Sequence, residues 1–178
     1  CETGPRVRVL VTGAAGYIGS VLVGELLLAK HSVVALDDLS CGVASLERFS
    51  RWSGFEFIRG DVRRKEDVDR ALSGADAVVH LAAIVGMPAC DRDPNLARQV
   101  NLDAVDLLMS LRRPDQRLLF PNTNSGYGTT PPGVVCTEET PLKPISLYGR
   151  LKAYAEKLVL AGENTVSLRL ATVFGPSP

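Results

Sequence analysis

The sequence predicts an α/β fold, a doubly wound parallel sheet with helices on both faces. Short β-branched segments alternate with segments of helical periodicity along nearly the whole chain. This alternation favours parallel strands joined by right-handed helical crossovers. A glycine-rich turn at residues 13–19 directly follows the first of these strands. The length of 178 residues is typical of one domain with a sizeable core.

The first half of the chain contains three strand–helix units. Residues 6–12 are β-branched and bounded by Pro5 and Gly13, and residues 20–30 carry apolar side chains at helical spacing. Residues 32–36 are the second predicted strand, followed by a helix near 44–51. Residues 55–59 are the third predicted strand, followed by a helix at 65–72. The first of these strands, short and β-branched, is typical of a buried parallel strand.

The second half continues the same pattern. Residues 76–81, 117–120 and 165–170 are the remaining predicted strands, with helices at 94–111 and 148–161. Residues 121–147 are rich in Gly, Pro, Thr and Asn, and form a connection much longer than the usual four to six or so residues. A connection of this length is usually functional or disordered.

Composition favours a small-molecule partner. Twenty basic and twenty acidic residues balance, and no basic run indicates a nucleic-acid or membrane surface. No signal-peptide pattern or membrane-spanning apolar stretch is visible, so we expect a cytoplasmic protein. Disulfides and metal sites are not expected, because there are only two histidines and the cysteines are widely spaced, at Cys1, Cys41, Cys90 and Cys136.

Three glycines, Gly13, Gly16 and Gly19, form a Gly-x-x-Gly-x-x-Gly turn between the first strand and its helix. Such a turn needs glycine for its backbone angles and for close approach of the chain to a pyrophosphate, which amides at the helix N-terminus then bind. We therefore expect a Rossmann-type dinucleotide site that includes Tyr17 and Ile18. A tight turn with nothing bound is the alternative.

An acidic pair, Asp37 and Asp38, ends the second strand about 20 residues after the turn. A carboxylate there accepts hydrogen bonds from the ribose hydroxyls and repels a 2′-phosphate, so Asp37 favours NAD over NADP. Asp38 and Ser40 are assigned to the same part of the site. An exposed loop aspartate or a helix N-cap is the alternative for both acids.

The ends of the third and fourth strands supply the remaining cofactor candidates. Asp61 is placed to accept from the adenine amino group, or else to cap the next helix. His80 is expected to be a satisfied strand-end histidine without chemistry. The other assigned residues leave room for the cofactor beside these strands: Val62, Leu81, Ala82 and Ala83.

Tyr148 and Lys152 are four residues apart, on one face of a predicted helix. A phenol of pKa about 10 is a poor base near neutrality, but a nearby ammonium and a positive nicotinamide ring stabilise the phenolate. Tyr148 is then able to take a proton from a substrate hydroxyl. A surface pair is the alternative.

Two polar residues are candidates to support this pair. Thr123, at the end of the fifth strand, is the first choice for a hydroxyl that holds the substrate oxygen. Asn101 lies midway along the preceding helix, and its amide is expected to bridge to backbone or water near the lysine. A solvent-facing asparagine is the alternative.

In this order the motifs resemble the extended short-chain dehydrogenase/reductase superfamily, specifically its NAD-dependent nucleotide-sugar epimerase/dehydratase family. The resemblance spans almost the whole chain and implies that Tyr148 is the acid/base, that Lys152 binds the nicotinamide ribose, and that Thr123 holds the substrate hydroxyl. It implies oxidation at sugar C4, giving a 4-keto intermediate and NADH. It rests on residues 12–19, 37–40, 60–62, 80–83, 101, 127–128, 144–152 and 169–176.

Departures from subfamily patterns narrow the expected reaction. Relatives that resemble 4,6-dehydratases have Asp-Glu after the threonine, whereas this chain has Asn124 and Ser125. Relatives that resemble 3,5-epimerases have a cysteine at the position of Ser125. The resemblance therefore favours 4-epimerisation or simple oxidation and reduction, with Ser125 and Thr172 assigned to the nucleotide-sugar.

Family members continue past residues 173–176 into a small substrate domain, which is apparently missing here. We therefore expect residues 1–178 to be an NAD-binding domain that carries the catalytic residues but shows negligible turnover alone. A non-catalytic NAD-binding regulatory or scaffold module is the alternative. Relatives often dimerise through a four-helix bundle, so Leu107, Leu108 and Leu158 are expected at a homodimer interface or in the core.

Overall fold

Six parallel strands form one sheet in the computed structural model, which describes residues 6–40, 44–131, 133 and 135–175. The strand order is β3-β2-β1-β4-β5-β6, so the predicted doubly wound sheet is confirmed. The order reverses between β1 and β4, which opens a crevice at their carboxyl ends. The strands are β1 (Arg8–Thr12), β2 (Ser32–Asp37), β3 (Phe55–Arg59), β4 (Ala77–His80), β5 (Arg117–Thr123) and β6 (Thr165–Leu170).

Helices cover both faces of this sheet. Val9 and Val11 of β1 pack with the first two helices, whereas Leu10 points to the opposite face and packs with the third, sixth and seventh. The helices are α1 (Tyr17–Leu28), α2 (Ala44–Glu47), α3 (Lys65–Leu72), α4 (Met87–Arg92), α5 (Pro94–Arg98), α6 (Ala104–Leu111) and α7 (Leu147–Leu160). A π-helical segment, Gln99–Asp103, joins α5 to α6, and a 3₁₀ turn, Asn124–Tyr127, follows β5.

The elements depart from the predicted ones in several places. α2 ends at Glu47 instead of near residue 51. The predicted helix at 94–111 contains the π-helical segment, and α4 before it was not expected. β5 continues through Pro121 to Thr123 instead of ending at Phe120. Proline is tolerated there because β5 pairs with β4 only through Leu119, and beyond that point it pairs only with β6.

The described residues contain no helix long and apolar enough to cross a bilayer, and no cluster of three metal-ligating side chains. Cys90 and Cys136 are free thiols. Cys1, Cys41 and Pro176 lie outside the described residues. Leu108 belongs to the core, whereas Leu158 is 36% exposed.

Candidate cofactor and active site

A cleft of about 890 Å³ opens along the carboxyl ends of the strands, within the size range of ligand sites. It brings together most of the residues assigned from the sequence to cofactor, catalysis or substrate. These are Gly13, Gly16, Tyr17, Ile18, Gly19, Asp37, Asp38, Ser40, Asp61, Val62, Leu81, Ala82, Ala83, Thr123, Ser125, Tyr148 and Lys152. Asn101 and Thr172 are not among the lining residues.

The glycine turn leaves no space for side chains at two of its glycines. Gly13 has a φ of +66°, and a Cβ there would lie 2.6 Å from the amide nitrogen of Ala82. A Cβ on Gly19 would overlap the Gly13 carbonyl. Gly16 is the N-cap of α1, and no side chain caps this helix. The turn therefore brings bare backbone and a helix N-terminus to the cleft, as a pyrophosphate requires.

Asp37 links the end of β2 to the glycine turn. Its carboxylate accepts hydrogen bonds from the backbone amides of Ala15 (2.9 Å) and Leu39 (2.8 Å). Each carboxylate oxygen can accept a second bond, so Asp37 has acceptor capacity left for a ribose. Asp38 accepts from the amide of Ser40 at 2.9 Å, which shapes the loop after β2.

Asp61 is engaged by a residue that the sequence analysis missed. Arg63 Nε lies 2.9 and 3.0 Å from the two carboxylate oxygens of Asp61, and Arg63 Nη1 donates to Gln99 at 3.1 Å. The side-chain hydrogen bond from Arg63 lowers the pKa of Asp61. Asp61 makes no cap hydrogen bond to α3. Arg63 therefore shares this end of the cleft, and an adenine amino group would compete with it for Asp61.

His80 is buried beneath the cleft. Its Nδ1 lies 2.9 Å from the hydroxyl of Thr12, which also accepts from the amide of Ala82. Burial, with a smaller effect of Lys152, lowers the pKa of His80 to about 3, so the ring is neutral. Nε2 has no hydrogen-bond partner among the described residues, so the histidine is only half satisfied.

Tyr148 and Lys152 both lie on α7 and both line the cleft. Tyr148 is largely buried, and burial raises its pKa, with a further increase from Cys90 and a partly opposing hydrogen bond from Thr123. This direction is opposite to the lowering expected when a cofactor is bound. The Lys152 ammonium donates to a backbone carbonyl instead of to the phenol.

Lys152 is 4% exposed, and its Nζ donates to the carbonyl of Pro121 at 3.0 Å. This carbonyl is available because β5 has no strand partner on the β4 side there. Nζ also lies 3.9 Å from the ring centroid of Phe120. Burial lowers the pKa of Lys152 to about 7, against an opposing effect of Glu156.

Thr123 lies beside the tyrosine, as expected for a residue that holds a substrate oxygen. Its hydroxyl donates to the Ser125 hydroxyl at 3.1 Å and accepts from the Ser125 amide at 3.1 Å. Thr123, Ser125 and Tyr148 thus form a group of neighbouring hydroxyls in the cleft.

Asn101 is 1% exposed, which excludes a solvent-facing asparagine. Its side chain accepts from the amide of Ile84 at 2.8 Å and donates to the carbonyl of the same residue at 2.9 Å. It lies in the π-helical segment, a feature often found at functional sites. The expected bridge to backbone is present, and through Ile84 it supports the cleft wall instead of lining it.

Thr172 is exposed, although its neighbours Ala171 and Val173 line the cleft. The same segment is tied to the glycine turn, because the Tyr17 hydroxyl donates to the carbonyl of Gly175 at 2.6 Å. Substrate binding by Thr172 stays a prediction.

Two charged residues behind the cleft were also missed. Glu156 is buried on α7, four residues after Lys152, and forms an ion pair with Arg169 of β6. The four-residue spacing from Tyr148 to Lys152 to Glu156 is a visible signal on one helix face. Arg169 had been noted only as part of a motif.

A family model described as the NAD dependent epimerase/dehydratase family matches residues 9–178. The chain belongs to this family. The resemblance inferred from the motifs is therefore confirmed.

Individual relatives agree with the family. A UDP-glucose 4-epimerase from Mycolicibacterium smegmatis is 35% identical, over 96% of this chain and 57% of the relative. A dTDP-glucose 4,6-dehydratase from Streptomyces niveus is 32% identical, over 96% and 55%. The structure of a Thermus thermophilus UDP-glucose 4-epimerase in complex with NAD is 36% identical, with a TM-score of 0.81, over 91% of this chain and 54% of the other. The chain spans little more than half the length of these relatives.

Proposed function

We propose that the chain binds NAD(H) in the cleft and belongs to a nucleotide-sugar 4-epimerase or related oxidoreductase that acts by transient oxidation at sugar C4. The observation that carries the proposal is the presence of the glycine turn, Asp37 and the Tyr148–Lys152 pair in one cleft. Relatives solved with NAD, and one solved with UDP-glucuronic acid and NAD, support it.

The residues fit NAD(H). Backbone atoms pack so closely around Gly13 and Gly19 that neither position has room for a Cβ, and a turn this tight presents its backbone and the N-terminus of α1 to a pyrophosphate. Asp37 presents a carboxylate where the ribose hydroxyls are expected, which disfavours the 2′-phosphate of NADP. When bound, the nicotinamide would accept the hydride from C4.

The chain's own residues would handle the proton. Thr123 would hold the C4 oxygen, and the Tyr148 oxygen would take the C4 hydroxyl proton as the C4 hydrogen leaves as hydride, giving a C4 ketone. Burial raises the pKa of Tyr148. The phenol would serve as a base once a positive charge, such as that of an oxidised nicotinamide ring, lowers this pKa again. Reversal of both transfers on either face of the ketone gives the epimer or the starting sugar.

Asn124 and Ser125 in place of an acidic pair favour 4-epimerisation or 4-keto reduction over 4,6-dehydration, although dehydratases are among the relatives.

A homodimer formed through α6 and α7 is also proposed. Leu158 on α7 is exposed enough to join such a contact, whereas buried Leu108 serves the core. Size-exclusion chromatography with light scattering tests this assignment.

We expect Tyr148→Phe to lower sugar turnover by about 10²- to 10⁴-fold while NAD affinity changes little, because the substitution removes only the proton-transferring oxygen. The wild-type protein is first isolated from its native source, and mass spectrometry gives its full length and any bound NAD(H). UDP-, GDP-, CDP- and dTDP-sugars are then tested for NADH formation and for C4 epimers.

The matched control is Tyr154→Phe, since Tyr154 lies on the same helix but is 55% exposed and outside the cleft lining. Full turnover in Tyr148→Phe would contradict the assignment. Bound NAD with no turnover of any sugar by the wild-type protein would instead favour a non-catalytic NAD-binding module.

A further inference from the structure

Four consecutive residues at the end of β5 contact one face of α7. The Phe120 ring lies under the Lys152 ammonium, and the Pro121 carbonyl accepts from it. The Asn122 side chain lowers the pKa of Glu156, and the Thr123 side chain lowers the pKa of Tyr148, so each lies close to its α7 residue. The three α7 residues are spaced by four, so they form one stripe. The candidate catalytic groups are thus held in register with the strand end.

Glu156 is the most heavily bonded member of this stripe. It is 3% exposed, accepts from the Ser167 hydroxyl at 2.6 Å, and accepts from Arg169 Nε at 3.0 and 3.1 Å. Burial would raise the pKa of Glu156, but hydrogen bonds from Arg169, Ser167 and Asn122 outweigh it and lower the pKa. The side chain is therefore a buried carboxylate.

The ion pair also reaches the connection after β5. Arg169 Nη1 donates to the Tyr127 hydroxyl at 3.1 Å and to the Glu138 carbonyl at 3.0 Å. Glu156 and Arg169 therefore connect α7 with β6, which pairs with the end of β5, and with the long connection.

We propose that Glu156 is a positioning residue for the Tyr148–Lys152 pair. Its carboxylate holds α7 to Ser167 and Arg169 of β6, the strand that pairs with the end of β5, and it supplies a negative charge one helical turn from the Lys152 ammonium. The role rests on the proposed function of the pair.

Several titratable or charged groups lie around the lysine. Tyr148 and Glu156 are on α7, His80 is on β4, and Arg169 lies beyond Glu156 on β6. Cys90 of α4 is near Tyr148. Burial raises the pKa of both Tyr148 and Cys90, so these groups are neutral near pH 7, as is His80. Of these described groups only Glu156 carries a negative charge, and it opposes the effect of burial on Lys152.

The test measures the titration of Lys152 without cofactor or turnover. Lys152 is 4% exposed, so its titration is followed across a pH series by NMR, through the chemical shift of its Cε, which needs no reagent to reach the amine. Glu156→Gln keeps the size and removes the charge, and we expect the titration midpoint of Lys152 to fall by about one pH unit. Glu156→Asp keeps the charge, and we expect a midpoint close to that of the wild type.

A double variant separates positioning from stability. Glu156→Gln with Arg169→Gln leaves no unpaired buried charge, so a purely structural ion pair would give a wild-type midpoint in this variant. We expect the midpoint to stay low. The double variant also carries the test if Glu156→Gln alone fails to fold.

An unchanged Lys152 midpoint in the folded variants would overturn the proposal. Because the NMR titration needs neither NAD nor sugar, this result is distinct from failure of the proposed function, which would appear as missing NAD binding or turnover.

Discussion

Gly13→Ala is expected to abolish NAD(H) binding and to lower the free energy of unfolding by about 2–5 kcal/mol. Two costs add up. An L-residue at a φ of +66° is strained, and its Cβ would lie 2.6 Å from the backbone nitrogen and 2.8 Å from the Cα of Ala82. Ala82 lines the cleft, so a backbone shift that relieves the overlap also moves the wall against which the cofactor would bind. Urea unfolding and NADH fluorescence titration measure the two effects.

The matched control is Gly74→Ala. Gly74 has nearly the same φ, +68°, but a Cβ there would meet only Arg8 side-chain atoms at 3.8 Å. The position lies between α3 and β4, away from the cleft lining. We expect this variant to lose only about 1–2 kcal/mol and to bind NADH normally. Wild-type NADH affinity in Gly13→Ala would show that the turn does not hold the cofactor.

Glu156→Ala is expected to lower the free energy of unfolding by about 3–5 kcal/mol, because it leaves Arg169 as a largely buried, unpaired cation. The Arg169 side chain is 17% exposed and that of Glu156 is 4% exposed, so water cannot take over the lost contacts. For a domain of this size the melting temperature should fall by about 6–20 °C.

Glu56→Ala is the comparison for this second effect. Arg8 and Glu56 also form an ion pair, at 2.6 Å, but their side chains are 36% and 50% exposed. Pairs this accessible contribute only about 0–1 kcal/mol. Equal melting temperatures for the two variants would contradict the importance assigned to the buried pair.

The sequence predicts the fold well because its signals are local. β3, α3 and β6 were predicted with the bounds observed, since each is a short patterned run flanked by turn residues. α4 was missed because six residues carry too little helical periodicity. A search for a period of 3.6 residues cannot reveal a π-helical segment. The fifth strand was expected to end before Pro121, but its pairing with β6 continues through Thr123.

The site divides in the same way. The glycine turn, Asp37 and the tyrosine–lysine pair are local motifs, and the structure places them in one cleft. Glu156 and Arg169 were missed because they pair across two elements, α7 and β6, whereas Arg63 was missed although its partner Asp61 is only two residues away. The sequence also could not show whether the pKa of Tyr148 is raised or lowered, since this shift depends on burial and on where the Lys152 ammonium is directed.

Parallel NADH and NADPH titrations of the 178-residue chain, followed by fluorescence, test most directly the claim that this cleft is an NAD site. We expect saturable binding of NADH, preferred over NADPH by at least about tenfold because Asp37 repels a 2′-phosphate. We expect Asp37→Ala to narrow this preference, because NADPH is no longer repelled and NADH loses its ribose contact. No NADH binding by the folded chain, or equal or tighter binding of NADPH, would contradict it.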